Sequence, residues 1–162
     1  MILVTGGEKS GKSTYAMRTA LAQGPRRAFV ATAEAFDDEM RSRITRHRQE
    51  RGASFETVEE AIEVPAALRR LAGYDVVLVD CMTTWLGNLL HYGRDREVME
   101  KDLLASLSGH EIIVTNEVGM GIIPLEPSTR LYVEDLGRLN AALAERADRV
   151  VFMVAGIPLD LK

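Results

Sequence analysis

Residues 2–13 read Ile2-Leu3-Val4-Thr5-Gly6-Gly7-Glu8-Lys9-Ser10-Gly11-Lys12-Ser13, a short apolar run leading straight into G-x-x-x-x-G-K-S. That spacing is the phosphate-binding loop of nucleoside triphosphate enzymes, and it fixes a local order of strand, tight loop and helix. Gly6 and Gly11 permit backbone angles that a side chain forbids, so successive N–H groups turn inward around a phosphate. Lys12 puts a cation on the outer phosphates, and the Ser13 hydroxyl suits Mg²⁺. The helix opening near Lys12 adds its positive N-terminal end. A chance Gly-rich turn would lack these flanks. Here a β-branched run precedes the loop and residues 13–22 carry a helical pattern.

Apolar runs then alternate with helical patterns along the chain. Residues 2–5, 28–31, 76–80, 112–116 and 150–155 read as buried strands, rich in Val and Ile with little alternation. Helices are expected at about 12–22, 37–51, 63–73, 96–107 and 135–147, with an edge strand at 54–58. This order predicts an α/β fold, a mostly parallel sheet with helices on both faces, of the RecA-like phosphate-loop class. With 162 residues and no linker, repeat or low-complexity tract, one domain spanning 1–162 is expected. Ligands of such sheets sit beyond the carboxyl ends of the strands, so the residues after each strand are the ones to read.

The net charge of −4 offers no general attraction for nucleic acid or an anionic membrane. No apolar run approaches the roughly 20 residues of a membrane span. The first residues enter a strand at once, without a signal-peptide pattern, and the lone Cys81 cannot form an internal disulfide. A cytoplasmic protein without stable membrane insertion is expected.

Val76-Val77-Leu78-Val79-Asp80 is an apolar strand closed by a carboxylate, a form that holds Mg²⁺ opposite Ser13. A strand-end Asp also caps helices, so the pairing with the phosphate loop carries the reading. The segment 37–51 has acids first and bases last, an order that suits the helix dipole. Met40, Ile44, His47 and Arg51 share one stripe of it by their 3–4-residue spacing. Nearby arginines disfavour imidazolium, so an imidazole at His47 stays neutral and nucleophilic, and the same arginines suit phosphate. A solvated histidine in a basic helix is the alternative on composition alone.

Several segments together resemble a known family. Ala31-Thr32-Ala33-Glu34-Ala35-Phe36-Asp37-Asp38-Glu39-Met40, Arg43-Ile44-Thr45-Arg46-His47-Arg48 and Val79-Asp80-Cys81-Met82-Thr83-Thr84-Trp85-Leu86-Gly87-Asn88-Leu89-Leu90 are three of them. Thr115-Asn116-Glu117-Val118-Gly119-Met120-Gly121-Ile122-Ile123-Pro124 and the closing Ala155-Gly156-Ile157-Pro158-Leu159-Asp160-Leu161-Lys162 complete the set. With the phosphate loop they look like the bifunctional adenosylcobinamide kinase / adenosylcobinamide-phosphate guanylyltransferase of cobalamin biosynthesis. The resemblance runs the length of the chain in order.

It implies two reactions. The amino-propanol hydroxyl of adenosylcobinamide takes the γ-phosphoryl group of ATP or GTP. GTP then guanylylates a histidine with loss of pyrophosphate, and adenosylcobinamide phosphate takes the GMP to give adenosylcobinamide-GDP. The family's guanylylated histidine falls on His47, and its nucleotide contacts fall on Gly6 through Ser13, Ala31, Thr32, Ala33, Arg48, Gln49, Glu50, Arg51, Glu59 and Asp80. A homotrimer with sites near the subunit boundaries is implied as well. The residue chemistry agrees: imidazole attack at an α-phosphorus splits one transfer into two displacements. Glu59 could accept from guanine N–H groups, and Glu117 ends a strand where it could orient a substrate hydroxyl or a metal-bound water. Each could equally be structural. Two departures stand out: Ser54-Phe55-Glu56 has Phe where the family suggests Trp, and the charged region 94–108 carries little of its pattern.

Three rival readings share the phosphate loop. A simple small-molecule kinase would form no covalent intermediate. A GTP-dependent switch would need a base-reading Asn-Lys-x-Asp, for which Thr115-Asn116-Glu117-Val118 is a poor substitute. A nucleic-acid-stimulated ATPase fits badly with the acidic balance.

Overall fold

The five central strands form because their residues are largely apolar on both sides, and both sides are covered, while the two outer strands are largely exposed. The computed structural model describes residues 1–35 and 38–162, without the side chains of 39, 40, 43, 46, 47, 50 and 51. In chain order the elements are β1 (Ile2–Gly6), α1 (Lys12–Leu21), β2 (Arg27–Ala31), α2 (Asp38–Arg51), a 3-10 turn (Gly52–Ser54) and β3 (Glu56–Glu59). There follow α3 (Val64–Arg70), β4 (Val76–Asp80), α4 (Met82–His91), α5 (Arg96–Ser106) and β5 (Glu111–Val114). The last are α6 (Pro127–Arg146), β6 (Arg149–Val154) and β7 (Ile157–Asp160). They build a seven-stranded sheet in the order β3-β2-β4-β5-β1-β6-β7. Every pairing is parallel except that of β7 with β6.

Alternate residues of the central strands point to opposite faces. Val4, Leu78 and Ile112 pack with Ala16 and Ala20 of α1 on one face. Leu3, Val77 and Ile113 pack with Leu68, Trp85, Leu103 and Leu139 of α3, α4, α5 and α6 on the other. The two-faced burial explains the unbroken apolar runs. Each fully buried Leu or Ile contributes about 1.5–3 kcal/mol, against about 0–1 kcal/mol for an exposed ion pair. Packing therefore holds the layers. One ion cluster reaches inward: buried Asp135 of α6 meets Arg96 at the start of α5 and Arg138 of its own helix.

The α/β, mostly parallel, two-faced architecture expected from the sequence is the one observed. The edge strand lies at β3, on the rim of the sheet. Three elements differ. Helix α4 was not expected, because Thr83, Thr84 and Gly87 are weak helix formers; buried Met82, Trp85, Leu86 and Leu89 nevertheless make one apolar stripe. Helix α6 starts at Pro127, well before the expected 135, since its first turns bury little and show no apolar period, while Pro suits a first helical position. The last expected strand ends at Val154. Ala155 (φ 50°) and Gly156 (φ 81°) form a two-residue hairpin turn into β7, and positive φ at both positions is what such a turn requires. The expected helix start at position 37 lies outside the described residues. The charged region 94–108 resolves into α5, whose first turn is capped by Asp95 accepting from Val98 N–H at 3.1 Å.

Glu111 opens β5 as a buried acid. Burial pushes its carboxyl up, but hydrogen bonds from the Ser108 hydroxyl and the Ser108 and Gly109 backbone N–H groups outweigh this, and its pKa lies below the ordinary carboxylate range. A depressed folded-state pKa contributes stability that is present above the unfolded-state pKa and lost as pH falls through the folded one. Urea unfolding followed from neutral pH down through the carboxylate range should show Glu111→Gln less stable at neutral pH and less acid-sensitive than the wild type.

Candidate active site

The parallel register lines up the carboxyl ends of the strands. Ala31 at the end of β2 lies opposite Glu59 of β3 on one side and Asp80 of β4 on the other. Asp80 in turn lies opposite Val114 of β5, and Val114 opposite Val4 of β1, two residues before Gly6. Glu59, the 31–33 segment, Asp80 and the loop after β1 thus share one edge of the sheet.

The loop between β1 and α1 turns where no side chain fits. Gly6 has φ 145°, and a Cβ there would stand 2.4 Å from the Met153 carbonyl oxygen of β6. Gly11 caps α1 at φ 96°, and the Gly156 N–H donates to the Ser10 carbonyl at 3.0 Å, so the β6–β7 turn braces the loop. Lys12 is buried and its Nζ donates to the Gly7 carbonyl at 2.6 Å. An ammonium on a loop carbonyl is a cation held at the loop mouth, where phosphate oxygens would compete for it. The Thr5 and Ser10 hydroxyl oxygens are buried without a hydrogen-bond partner among the described residues. Ser13 is half-buried in the first turn of α1, and Asp80 is half-buried at the end of β4.

The neighbouring segment is tied down from α4. Thr32 is fully buried; its hydroxyl donates to the Cys81 carbonyl and accepts from the Cys81 N–H, both at 2.8 Å, and its N–H donates to the Asp80 carbonyl at 3.2 Å. Asn88 is buried, and its amide donates to the Thr32 carbonyl at 2.8 Å and the Ala61 carbonyl at 3.1 Å. Trp85 Nε1 donates to the Ile62 carbonyl at 2.8 Å. One helix thereby sets the segments that follow β2 and β3. Burial pushes the Cys81 thiol up, the Asp80 charge adds to this, and its sulfur lies 3.1 Å from the Thr84 hydroxyl.

Helix α2 meets this edge through Arg48, whose guanidinium lies 3.2 Å from Glu59, both side chains more than half exposed. Gln49 is exposed on the same helix, and Ile44 is half-buried. The side chains of His47, Glu50 and Arg51 lie outside the described residues. Asn88, Thr83, Tyr132 and Asn140 were not singled out from sequence. The available signal for Asn88 is a lone amide within the apolar stripe of α4, which needs polar partners once buried.

After β5 the chain runs exposed and apolar: Met120, Ile122, Ile123 and Leu125 are each at least 78% accessible. Among the described residues no group of three or more His, Cys, Asp or Glu could hold a metal ion, and no helix is long and apolar enough to cross a membrane.

Comparison with known proteins adds to this geometry. Residues 2–161 match the family model described as cobinamide kinase / cobinamide phosphate guanyltransferase. The bifunctional adenosylcobalamin biosynthesis protein CobP of Pseudomonas aeruginosa is 43% identical over 99% of this chain and 96% of its own length. Bifunctional adenosylcobalamin biosynthesis proteins named CobU from Escherichia coli and Salmonella typhimurium are 35% and 33% identical, each over 100% of this chain and 99% of their own. The flagellar accessory protein FlaH from Methanocaldococcus jannaschii aligns with a TM-score of 0.53 at 13% identity, over 99% of this chain and 77% of that one, a likeness of fold alone.

Asn88→Ala leaves the Thr32 and Ala61 carbonyls without their donor. It should cost about 1–3 kcal/mol, measured as a lower urea midpoint at unchanged slope.

Proposed function

The chain belongs to the cobinamide kinase / cobinamide phosphate guanyltransferase family, and we propose that it performs both reactions within one nucleotide-binding catalytic domain spanning residues 1–162. Adenosylcobinamide is phosphorylated with ATP or GTP; adenosylcobinamide phosphate then receives GMP from GTP through a covalent His47–GMP intermediate. The products of the second stage are adenosylcobinamide-GDP and pyrophosphate. The observation that carries this reading is the shared edge: the phosphate loop, the 31–33 segment, Glu59 and Asp80 all follow from the register of five adjacent strands.

In this reading the N–H groups of Gly6, Gly7, Glu8, Lys9, Ser10 and Gly11 cradle the phosphates, and Lys12 leaves the Gly7 carbonyl to take a phosphate oxygen. The donors Ser13 and Asp80 fit Mg²⁺. They offer one hydroxyl and one carboxylate, hard oxygen ligands of the kind that Mg²⁺ shares with nucleotide phosphates. Held by these two residues, Mg²⁺ would neutralise charge that develops on the phosphates. Ala31, Thr32, Ala33, Glu59 and the α2 residues Arg48, Gln49, Glu50 and Arg51 hold the guanosine nucleotide. The Arg48–Glu59 pair supports this by bringing α2 to the end of β3.

His47 lies in α2 two to three turns after its start. Its imidazole forms an N–P bond at the α-phosphorus while the bond to pyrophosphate breaks. The phosphate oxygen of adenosylcobinamide phosphate then displaces the imidazole at the same phosphorus. A kinase without the covalent stage is the competing reading.

The chain assembles as a homotrimer in the cytoplasm. The exposed apolar residues after β5 support the assembly, since contiguous exposed apolar surface marks a contact face, and the single free thiol suits a reducing compartment. Light scattering should give three times the 17.9 kDa of one chain. A monomer would remove the trimer from the proposal.

GTP radiolabelled at the α-phosphorus should label the protein, with acid-labile and alkali-stable attachment. GTP labelled at the γ-phosphorus should leave no such label, and neither should α-labelled GTP with His47→Ala. Binding of GTP without label in the wild type would reduce the function to the kinase step and return His47 to ordinary helix surface.

A further inference from the structure

Moving a phosphoryl group onto a hydroxyl requires somewhere for the hydroxyl proton to go. The acceptor has to stand beside the outer phosphates, at the mouth of the loop after β1. Strands are about 4.8 Å apart, so sheet order ranks the carboxylates of the edge by distance. Glu59 on β3 is four strands from β1, on the order of 19 Å, and faces Arg48. Asp80 on β4 is two strands away and already serves the metal in the reading above. The residue that follows it is Cys81, which supplies no carboxylate. Strand β5 is inserted between β4 and β1, and the chain leaves it as Thr115-Asn116-Glu117.

That exit is fastened at every residue. Thr115 N–H donates to the Val4 carbonyl at 3.0 Å, and Glu117 N–H donates to the Gly6 carbonyl at 3.1 Å, the first carbonyl of the phosphate loop. Asn116 N–H donates to the Thr83 hydroxyl at 2.7 Å, and its carbonyl accepts from Asn140 Nδ2 at 3.0 Å. Asn140 Oδ1 takes the Thr115 hydroxyl at 2.7 Å. Across the loop, Asn116 Nδ2 lies 3.5 Å from Glu8 Oε2. Glu117 itself is half-buried, and its Oε1 accepts from the Gly119 N–H at 2.7 Å. The result is a carboxylate whose backbone is bonded to the phosphate loop and whose side chain is oriented by the next turn. Such orientation is what proton transfer in a transition state needs.

We propose that Glu117 is the general base of the phosphorylation step, the residue that accepts the proton of the acceptor hydroxyl. The proposal rests on the kinase reading above. In the step, the hydroxyl oxygen forms a bond to the γ-phosphorus as the bond from that phosphorus to the β,γ-bridging oxygen breaks. The nucleoside diphosphate leaves with that electron pair, and the hydroxyl proton passes to the Glu117 carboxylate, which returns it to water after product release. Gly119 is part of the arrangement: a Cβ there would stand 3.2 Å from Glu117 Oε1, so the carboxylate would have to shift by a few tenths of an ångström.

The test is the rate of adenosylcobinamide phosphorylation as a function of pH, at saturating nucleotide, for the full chain and its variants. Glu117→Gln should lower kcat by about 10²–10⁴-fold with little change in the KM for nucleotide, and the acidic limb of the wild-type profile should vanish. Glu117→Asp should keep the limb at a reduced rate, and Gly119→Ala should slow the reaction while keeping the limb. A nucleotide-dependent rise in melting temperature for each variant establishes that it is folded and loaded. Wild-type phosphorylation with an unchanged rate and limb in Glu117→Gln would overturn the assignment of Glu117 alone. Loss of the limb in Glu8→Gln instead would overturn it in favour of Glu8. Absence of phosphorylation by the wild type would overturn the kinase reading on which the assignment stands.

Discussion

The tightest constraint in the molecule is the absence of a side chain at Gly6. Strand β1 lies so close to β6 there that a Cβ would fall 2.4 Å from the Met153 carbonyl oxygen, and the backbone turns away at φ 145°. That contact lets the loop close against the sheet edge and deliver Lys12 to its mouth. The β6–β7 turn returns Gly156 to the Ser10 carbonyl, so the hairpin that closes the sheet also holds the phosphate loop from outside.

A second level of organisation comes from α4 and α6, which pack on the sheet face opposite α1 and still decide the surroundings of the loop. Apolar contacts dock α4, because Trp85 and Leu89 are buried against the sheet. Its polar atoms then go to backbone carbonyls outside the helix: Asn88 to Thr32 and Ala61, Trp85 to Ile62. Thr83 at its start receives Asn116 N–H, while the Thr83 carbonyl takes the Tyr132 hydroxyl of α6 at 2.8 Å. Burial pushes the Tyr132 phenol up to about 12, so it stays a neutral donor through the physiological range. A buried polar group left unpaired costs about 1–3 kcal/mol, so these bonds set the strand exits with more force than their net strength suggests.

Much of this was legible in the residues. The five central strands appear as unbroken Val- and Ile-rich runs because both their faces are covered, and the glycine spacing of the loop is a direct record of its backbone. Helix α4 was hidden. Threonines and a glycine lower its intrinsic helicity, and only burial of its apolar stripe against the sheet pays that deficit. The β6–β7 turn was hidden for a related reason: Ala155 sits at φ 50°, an unfavourable angle for alanine, which the pairing of Val154 with Ile157 enforces.

What the sequence determined alone is therefore local and chemical. It set the strand–loop–helix of residues 2–21, the alternation of strands and helices, and the presence of an acid at the end of β4 and after β5. Tertiary structure alone decided which strands are neighbours, because strand order depends on which apolar faces find each other across long stretches of chain. That order inserts β5 between Asp80 and the phosphate loop, turning Glu117 from one acid among many into the acid whose backbone N–H is bonded to the Gly6 carbonyl. No spacing in the chain encodes that contact, because residues 6 and 117 meet only once the parallel register is complete.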